Sequence, residues 1–211
     1  MPGSITSDVI KPPAPPHTGG YGGGGGSDGR GASRRASMTG LLVLLAATTM
    51  AFAAFTSAYV VRRGMSNDWV AFPLPRILWA NTAVLIASSG LLELARRCLK
   101  AGRRSEFNRY WTAGTVLGIL FLLGQGFAWR ELREAGIFVA TNPSSSFFYL
   151  LTAAHGLHIL GGLTALVYVD VEALSLQLGP GKRTAVDVSA VFWHFVDGLW
   201  IYLMALFLVW G

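Results

Sequence analysis

Five long apolar runs, separated by short polar stretches, account for most of the chain. They cover residues 40–61, 77–95, 110–129, 147–169 and 188–210. A helix that crosses a bilayer needs about 20 consecutive, mostly apolar residues, so each run predicts one transmembrane helix. The polar stretches between the runs carry turn residues, among them Pro73, Pro75, Pro143 and Pro180. The pattern therefore predicts an all-α fold, a polytopic membrane bundle of five helices.

Residues 1–37 differ in composition from the rest of the chain. They hold 10 of the 26 glycines, including the run at residues 22–26, and a proline-rich stretch at residues 11–16. Such a segment buries too little apolar surface to offset the entropy that ordering would cost. We therefore expect a disordered Gly/Pro-rich cytoplasmic arm over residues 1–37, followed by one transmembrane domain over residues 38–211. The alternative for the arm is a segment that binds a partner.

The composition excludes a water-soluble domain. Hydrophobic residues make up 52% of the 211 residues, charged residues 13%, and the mean hydropathy is +0.47, whereas soluble domains are about 25% charged. The net charge of +6 lies in short stretches between the apolar runs, so the sequence indicates no nucleic-acid binding. Cys98 is the single cysteine, which excludes an internal disulfide and any centre built from a cysteine cluster.

Basic residues are distributed unequally between the two sides of the predicted bundle. Twelve of the 17 Lys and Arg residues lie in the arm, in the loop between the second and third spans, and in the loop between the fourth and fifth. The remaining five lie on the other side, at Arg62, Arg63, Arg76, Arg130 and Arg133. Because cytoplasmic loops carry the excess of basic residues, we predict a cytoplasmic N-terminus and a C-terminus outside.

Four polar side chains at membrane depth are the candidate site. His155 and His158 lie in the fourth predicted span, and His194 and Asp197 lie in the fifth. A charged side chain at the centre of a transmembrane helix costs about 2.5–3.5 kcal/mol on insertion scales, so such groups are expected to face protein and find partners. His158 and Asp197 lie near the midpoints of their spans, which permits a contact between them. Our hypothesis is a buried polar seam between the fourth and fifth spans that holds the bundle together.

Two functional interpretations of these residues stay open at this point. His155 and His194 could ligate a haem b between facing helices, although they lie on opposite sides of the membrane midplane. A series of histidines and a carboxylate is also typical of a proton relay. The sequence contains neither a phosphate-binding loop nor a convincing nucleophile–base pair, and we assign no catalytic, cofactor-binding or metal-ligating residue.

Two ordered motifs carry a family resemblance. Residues 155–158 read His-Gly-Leu-His, and residues 193–197 read Trp-His-Phe-Val-Asp. With their flanking residues, they closely resemble the last two helices of the cytochrome c oxidase subunit 3 family, which is subunit III of haem–copper oxidases. Residues 74–89 resemble the second core helix of the family, and residues 125–129 resemble the end of its third. The resemblance extends over residues 40–211, the whole chain except the arm.

The resemblance implies a non-catalytic subunit III of a proton-pumping haem–copper terminal oxidase in a bacterial cytoplasmic (inner) membrane. In this family the haem and copper belong to partner subunits, and subunit III stabilises subunit I and supports proton uptake. The implied partners are subunits I and II, other oxidase subunits and membrane lipids, and the chain itself is expected to bind no cofactor apart from phospholipid. By the same resemblance, Lys182 and Arg183 are candidate contacts for lipid phosphate. The long arm adds the expectation of a respiratory supercomplex.

The chain departs from the family pattern at two points. Many members have seven helices, and this chain resembles the short bacterial form that lacks the first two. The buried glutamate that the family often carries in its first core helix has no counterpart in residues 53–59, so its role is not transferred.

Other functions remain as alternatives. Subunit III of a quinol oxidase, or an accessory subunit of a nitric oxide reductase, has the same family of helices. An independent transporter is disfavoured, because no internal repeat is visible and no proline lies inside a span. A stand-alone haem b electron carrier would depend on the histidine ligation considered above.

Overall fold

The computed structural model of the protein describes residues 25–65, 69, 74–175 and 183–210. Its helices in chain order are α1 (Gly25–Met65), α2 (Ile77–Lys100), α3 (Arg104–Glu134), α4 (Pro143–Leu174) and α5 (Arg183–Trp210). All five are long and apolar enough to cross a membrane, and the described part of the chain contains no β-strand. The prediction of an all-α, five-span membrane protein is confirmed.

Each helix extends beyond the apolar run that predicted it. Hydropathy marks only the part of a helix that lies within the bilayer, whereas the backbone hydrogen bonds continue until a cap or turn ends them. The largest difference is at α1, which begins at Gly25 rather than near residue 40. The disordered arm that we predicted over residues 1–37 is therefore helical over residues 25–37, where Ala32, Ala36 and two arginines favour a helix. Residues 1–24 lie outside the described residues.

A tight turn joins α2 to α3. Gly102 has a φ of +78°, a left-handed conformation that glycine adopts without strain. Its N–H donates to the carbonyl of Leu99 at 3.2 Å, and the N–H of Arg103 donates to the carbonyl of Cys98 at 2.9 Å. These bonds satisfy carbonyls that the end of a helix leaves open. The shortness of the turn makes α2 and α3 antiparallel neighbours.

The start of α4 is set by its local sequence. The Asn142 side chain accepts a hydrogen bond from the Ser145 N–H at 2.9 Å, and the Asn142 N–H donates to the Ser145 hydroxyl at 3.3 Å. This reciprocal cap satisfies two donors at the helix end. Pro143 occupies the first turn, where the absent N–H has no partner to lose.

Small residues on α3 determine how closely its neighbours approach. α2 and α3 form the most extensive helix pair, while α5 packs against α1, α2 and α4. A Cβ atom at Gly114 would lie 2.8 Å from the Leu92 side chain, and one at Gly118 would lie 2.7 Å from the Trp193 ring. Membrane helices use small residues in this way because lipid gives them no hydrophobic reason to associate, so close packing has to supply the attraction.

The starts of α1, α3 and α5 meet the ends of α2 and α4 at one end of the bundle, here termed the basic end. One cavity at this end is lined by cations from three helices, namely Arg34, Arg96, Lys100 and Arg183. The Thr112 hydroxyl of α3 donates to Asp170 of α4 at 2.6 Å near the same end. At the other end, Arg63 lies over the Trp210 ring at 5.4 Å. The cations that line the cavity belong to the side that the charge count assigned to the cytoplasm.

Candidate functional site

Polar side chains at membrane depth are concentrated where α2 packs against α5. The Ser89 hydroxyl of α2 and Nδ1 of His194 on α5 form a hydrogen bond. The other ring nitrogen of His194, Nε2, lies 4.0 Å from Oε2 of Glu93, which is four residues after Ser89 on the same face of α2. His194 therefore has its polar neighbours on α2, and not on α4 as the hypothesis of a seam between α4 and α5 required.

Glu93 belongs to an ion-pair network at the basic end. Arg96 donates from Nη1 to Oε2 of Glu93 at 3.0 Å and from Nη2 to Oδ1 of Asp187 at 3.1 Å. Arg97 donates from Nε to Oε1 of Glu93 at 3.3 Å. The Arg96 side chain is only 19% exposed, whereas that of Arg97 is 70% exposed. Because exposed ion pairs contribute little to stability, Arg96 is the residue that connects α2 to the start of α5.

Asp197 lies three residues further into the bundle than His194. Its residue exposure is 5%. The Ser89 hydroxyl faces its carboxyl group, but neither carboxyl oxygen meets hydrogen-bond geometry with a partner in the described part of the chain. The proximity of the Ser89 hydroxyl does not by itself make a hydrogen bond. Asp197 is thus a buried carboxyl group with one nearby hydroxyl.

His155 is enclosed by aromatic rings. Its ring stacks on Trp200 with the centroids 5.1 Å apart, and it meets the edge of Phe121 with the centroids 6.2 Å apart. The residue is 1% exposed, and neither ring nitrogen has a hydrogen-bond partner among the described residues. His155 therefore contributes to the packing between α3, α4 and α5.

His158 is directed towards α1. Its Nδ1 lies 2.8 Å from the carbonyl oxygen of Ala154, one turn earlier in its own helix. Its ring meets the edge of Phe52 of α1 with the centroids 5.6 Å apart. The contact with Asp197 that the depth of His158 permitted is not a hydrogen bond among the described residues. Three residues rotate the helix by about 300°, so His155 and His158 point about 60° apart around the helix axis and contact different neighbouring helices.

The four predicted residues consequently do not form one network. Within the described ranges, no hydrogen bond joins any two of His155, His158, His194 and Asp197. Side-chain hydrogen bonds connect α2 to α5 in this region, and others connect α2 to α3 and α3 to α4. Those between α2 and α5 include a hydrogen bond from the Trp200 indole N–H to the Thr82 hydroxyl at 3.0 Å.

The two histidines considered for haem ligation line different grooves. His155 borders a groove of about 470 Å³ between α3 and α4, and His194 borders one of about 380 Å³ between α1 and α5. Axial ligands of one haem must face a shared space, and these two rings do not. In the described part of the chain, no cluster of three His, Cys, Asp or Glu side chains is placed to hold a metal ion.

The structure describes one of the two predicted lipid contacts. Lys182 lies outside the described residues. Arg183 lines the cavity at the basic end, which has a volume of about 290 Å³ and is also bordered by Asp187 and Thr184. Cations from α1, α2 and α5 meet there, so the cavity has the charge that an anionic group requires.

Sequence reasoning missed the polar face of α2. Thr82, Ser89, Glu93 and Arg96 follow one another at intervals of seven, four and three residues. These intervals place them on a single helix face. A stripe of this kind in an apolar span is the signal that could have identified α2 as a helix with a polar face directed at another helix.

Comparison with known proteins places the chain among oxidase subunits. Residues 38–211 match the family model described as cytochrome c oxidase subunit III. The chain is similar to the probable cytochrome c oxidase subunit 3 of Nocardia farcinica, with 31% identity over 170 residues, covering 79% of this chain and 84% of the relative. For the probable cytochrome c oxidase subunit 3 of Mycobacterium tuberculosis, the identity is 33% over 168 residues, covering 78% and 83%. For the cytochrome c oxidase subunit 3 of Synechocystis, it is 31% over 176 residues, covering 80% and 73%.

Proposed function

The chain belongs to the cytochrome c oxidase subunit III family, and on that basis we propose that it is the non-catalytic subunit III of a proton-pumping cytochrome c oxidase. The observation that carries the proposal is the family match over residues 38–211, which contains all five apolar spans. The chain is therefore a multi-pass membrane protein and a member of an oxidase complex. Its relatives are named as cytochrome c oxidase subunits, so the quinol oxidase and nitric oxide reductase alternatives are not favoured.

A non-catalytic role is supported by the positions of the three described histidines. His155 is stacked between aromatic rings, His158 contacts its own backbone, and His194 bonds to Ser89. Each of them already contributes to the helix packing. We therefore assign the haem and copper of the complex to its partners, subunits I and II.

The outward faces of the bundle support a role beside a larger helical partner. Leu123 and Phe127 on α3 are 56% and 59% exposed, and Leu157 on α4 is 69% exposed. Such faces are compatible only with acyl chains or with other membrane helices. We propose that subunit I covers part of this surface and that the five-helix bundle stabilises it and supports its proton uptake.

The distribution of charge supports an orientation in a bacterial cytoplasmic membrane. With the basic end in the cytoplasm, we expect the cavity lined by Arg34, Arg96 and Arg183 to face the anionic phosphates of the cytoplasmic leaflet. Guanidinium groups bind phosphate through paired N–H donors. We propose that a phospholipid phosphate occupies this cavity and that Lys182, adjacent to Arg183 in sequence, adds a further positive charge. The arm before α1 is then available to other respiratory complexes in a supercomplex.

The proposal is tested by purifying the affinity-tagged chain from its native membrane in mild detergent. We expect haem signals in the reduced-minus-oxidised spectrum and co-purification of subunits I and II, with copper in subunit II if cytochrome c is the donor. A membrane prepared from cells with the untagged chain is the control. A colourless chain that purifies without a haem-containing partner would contradict the proposal.

The non-catalytic assignment has a separate test. Removing the chain from the purified oxidase with a harsher detergent should leave the haem spectrum unchanged and accelerate the loss of activity during turnover. If the haem spectrum disappears together with the chain, the chain contributes to the redox centres and the assignment is wrong.

A further inference from the structure

A line of proton-exchanging side chains runs along the contact between α2 and α5. It begins with Glu93 at the basic end, continues through His194 and Ser89, and stops at the buried Asp197. We propose that these four residues conduct protons from the basic end of the bundle to Asp197, which acts as a buried proton-binding site. This inference deepens the proposed function and rests on it for its direction, because the cytoplasmic position of the basic end is part of that proposal.

The entrance of the proton chain is accessible to water. The Glu93 side chain is 37% exposed, and its carboxylate is held by Arg96 and Arg97. Because its side chain is in contact with water, Glu93 can exchange protons with the solvent while Arg96 and Arg97 hold its position.

The middle of the proton chain is the imidazole of His194, whose two nitrogens face two different proton-exchanging groups. Nε2 of His194 lies 4.0 Å from the Glu93 carboxylate, and Nδ1 bonds to the Ser89 hydroxyl. A small rotation of Glu93 or one bridging water closes the longer gap. The charged groups that face His194 in the described structure are Glu93 and Arg96, both on α2. The α1 residues that border the same groove, Thr49 and Phe52 among them, are uncharged.

The inner end of the proton chain is the Asp197 carboxyl group, which lacks a complete set of hydrogen-bond partners among the described residues. A buried polar group with a purely structural role is normally hydrogen-bonded, whereas neither oxygen of Asp197 has a bond of good geometry in the described residues. An unpaired carboxylate at this depth carries a large desolvation cost, which a bound proton removes. Ser89 is the hydroxyl that faces this carboxyl group.

Each transfer in the proposed chain conserves protons and changes no oxidation state. The Glu93 carboxyl gives a proton to Nε2 of His194, and the imidazole releases the proton of Nδ1 to the Ser89 oxygen. The Ser89 hydroxyl then rotates into hydrogen-bond geometry with the Asp197 carboxylate and gives it the original hydroxyl proton. Glu93 takes a new proton from water, and reorientation of the imidazole restores its starting tautomer, so the net change is the transfer of one proton from solvent to Asp197.

The test uses the complete oxidase complex and time-resolved infrared spectroscopy after a pH jump. The signal is the carbonyl stretching band of the protonated Asp197 side chain, which is assigned by its disappearance in Asp197→Asn. Ser89→Ala and Glu93→Gln should slow the appearance of this band about tenfold or more while leaving its final amplitude unchanged. Asp187→Asn is the matched control, because Asp187 contacts the same Arg96 but is not one of the four residues of the proposed proton chain. The rate of this variant should equal that of the wild type.

Two results would overturn the inference. One is a wild-type rate in either Ser89→Ala or Glu93→Gln, and the other is a carbonyl band that persists unchanged in Asp197→Asn. The proposed function fails by a different observation, since it requires haem-containing partners to co-purify with the wild-type chain. A complex that keeps these partners but shows either contrary infrared result rejects the proton chain alone.

Discussion

The contact between Gly118 of α3 and Trp193 of α5 gives the sharpest test of the packing. A Cβ atom at residue 118 would lie 2.7 and 2.8 Å from two atoms of the indole's six-membered ring. Trp193 is fully buried, so the ring has no free space to move into. We expect Gly118→Ala to destabilise the bundle although alanine favours a helix more than glycine does.

The magnitude follows from two opposing effects. Replacing glycine by alanine inside a helix stabilises it by about 1 kcal/mol. Forcing an extra methyl group into a packed core costs about 1–3 kcal/mol. The matched control is Gly126→Ala on the same helix, because a Cβ atom at residue 126 would have no neighbour within 4 Å. The gain in helix propensity is common to both variants, so Gly118→Ala should be less stable than Gly126→Ala by about 1–3 kcal/mol.

The assay is the free energy of unfolding in mixed micelles, measured by denaturing-detergent titration and circular dichroism. A double-mutant cycle with Trp193→Phe isolates the contact. The smaller ring removes the atoms that meet the new methyl group, and the Trp193 indole N–H has no hydrogen-bond partner to lose among the described residues. The Gly118→Ala change should therefore cost less in the Trp193→Phe background, with a favourable coupling of about 0.5–3 kcal/mol. Equal stabilities of Gly118→Ala and Gly126→Ala, together with zero coupling, would refute this account of the packing.

Two other contacts give direct tests. Thr82→Val removes the hydroxyl that accepts the Trp200 indole N–H and should lower the free energy of unfolding by about 1–3 kcal/mol, because the buried donor loses its partner. Thr164→Val, at an exposed position whose hydroxyl donates to the Gly161 carbonyl of its own helix, should change the same titration little, and equal effects would argue against the hydrogen bond. Arg183→Gln should reduce the phospholipid that native mass spectrometry detects on the purified complex, because it removes one cation of the basic cavity. Arg130→Gln, which breaks an exposed ion pair with the adjacent helical turn, should leave bound lipid unchanged, and a comparable loss in both variants would contradict a specific site.

The start of α4 illustrates what local sequence can predict. Asn142 and Pro143 precede an apolar run, and the structure begins the helix at that proline with a reciprocal cap. The number of spans could be predicted equally well, because each apolar run is long enough to cross a bilayer and each ends at polar or turn residues. The start of α1 could not be predicted in the same way, since hydropathy carries no information about how far a helix continues into water.

The partners of His194 illustrate what the sequence did not reveal. His194 lies on the helix that follows α4, and proximity in sequence suggested a polar seam with His155 and His158. The structure instead pairs it with Ser89 and places Glu93 beside it. The regular spacing of polar residues on α2 was visible in the sequence, but nothing in that spacing states which helix it faces.

The sequence by itself determined the number of spans, their order and the side of the bundle on which positive charge accumulates. These properties depend on the transfer of each segment between water and lipid, and that free energy is a property of the segment alone. Only the tertiary structure decided that α5 presents its polar groups to α2 and that Gly118 accommodates Trp193. In a membrane the outside of a helix is as favourable to apolar side chains as the interior, so hydropathy cannot select neighbours. The selection depends on shape and on hydrogen bonds between segments that are distant in sequence.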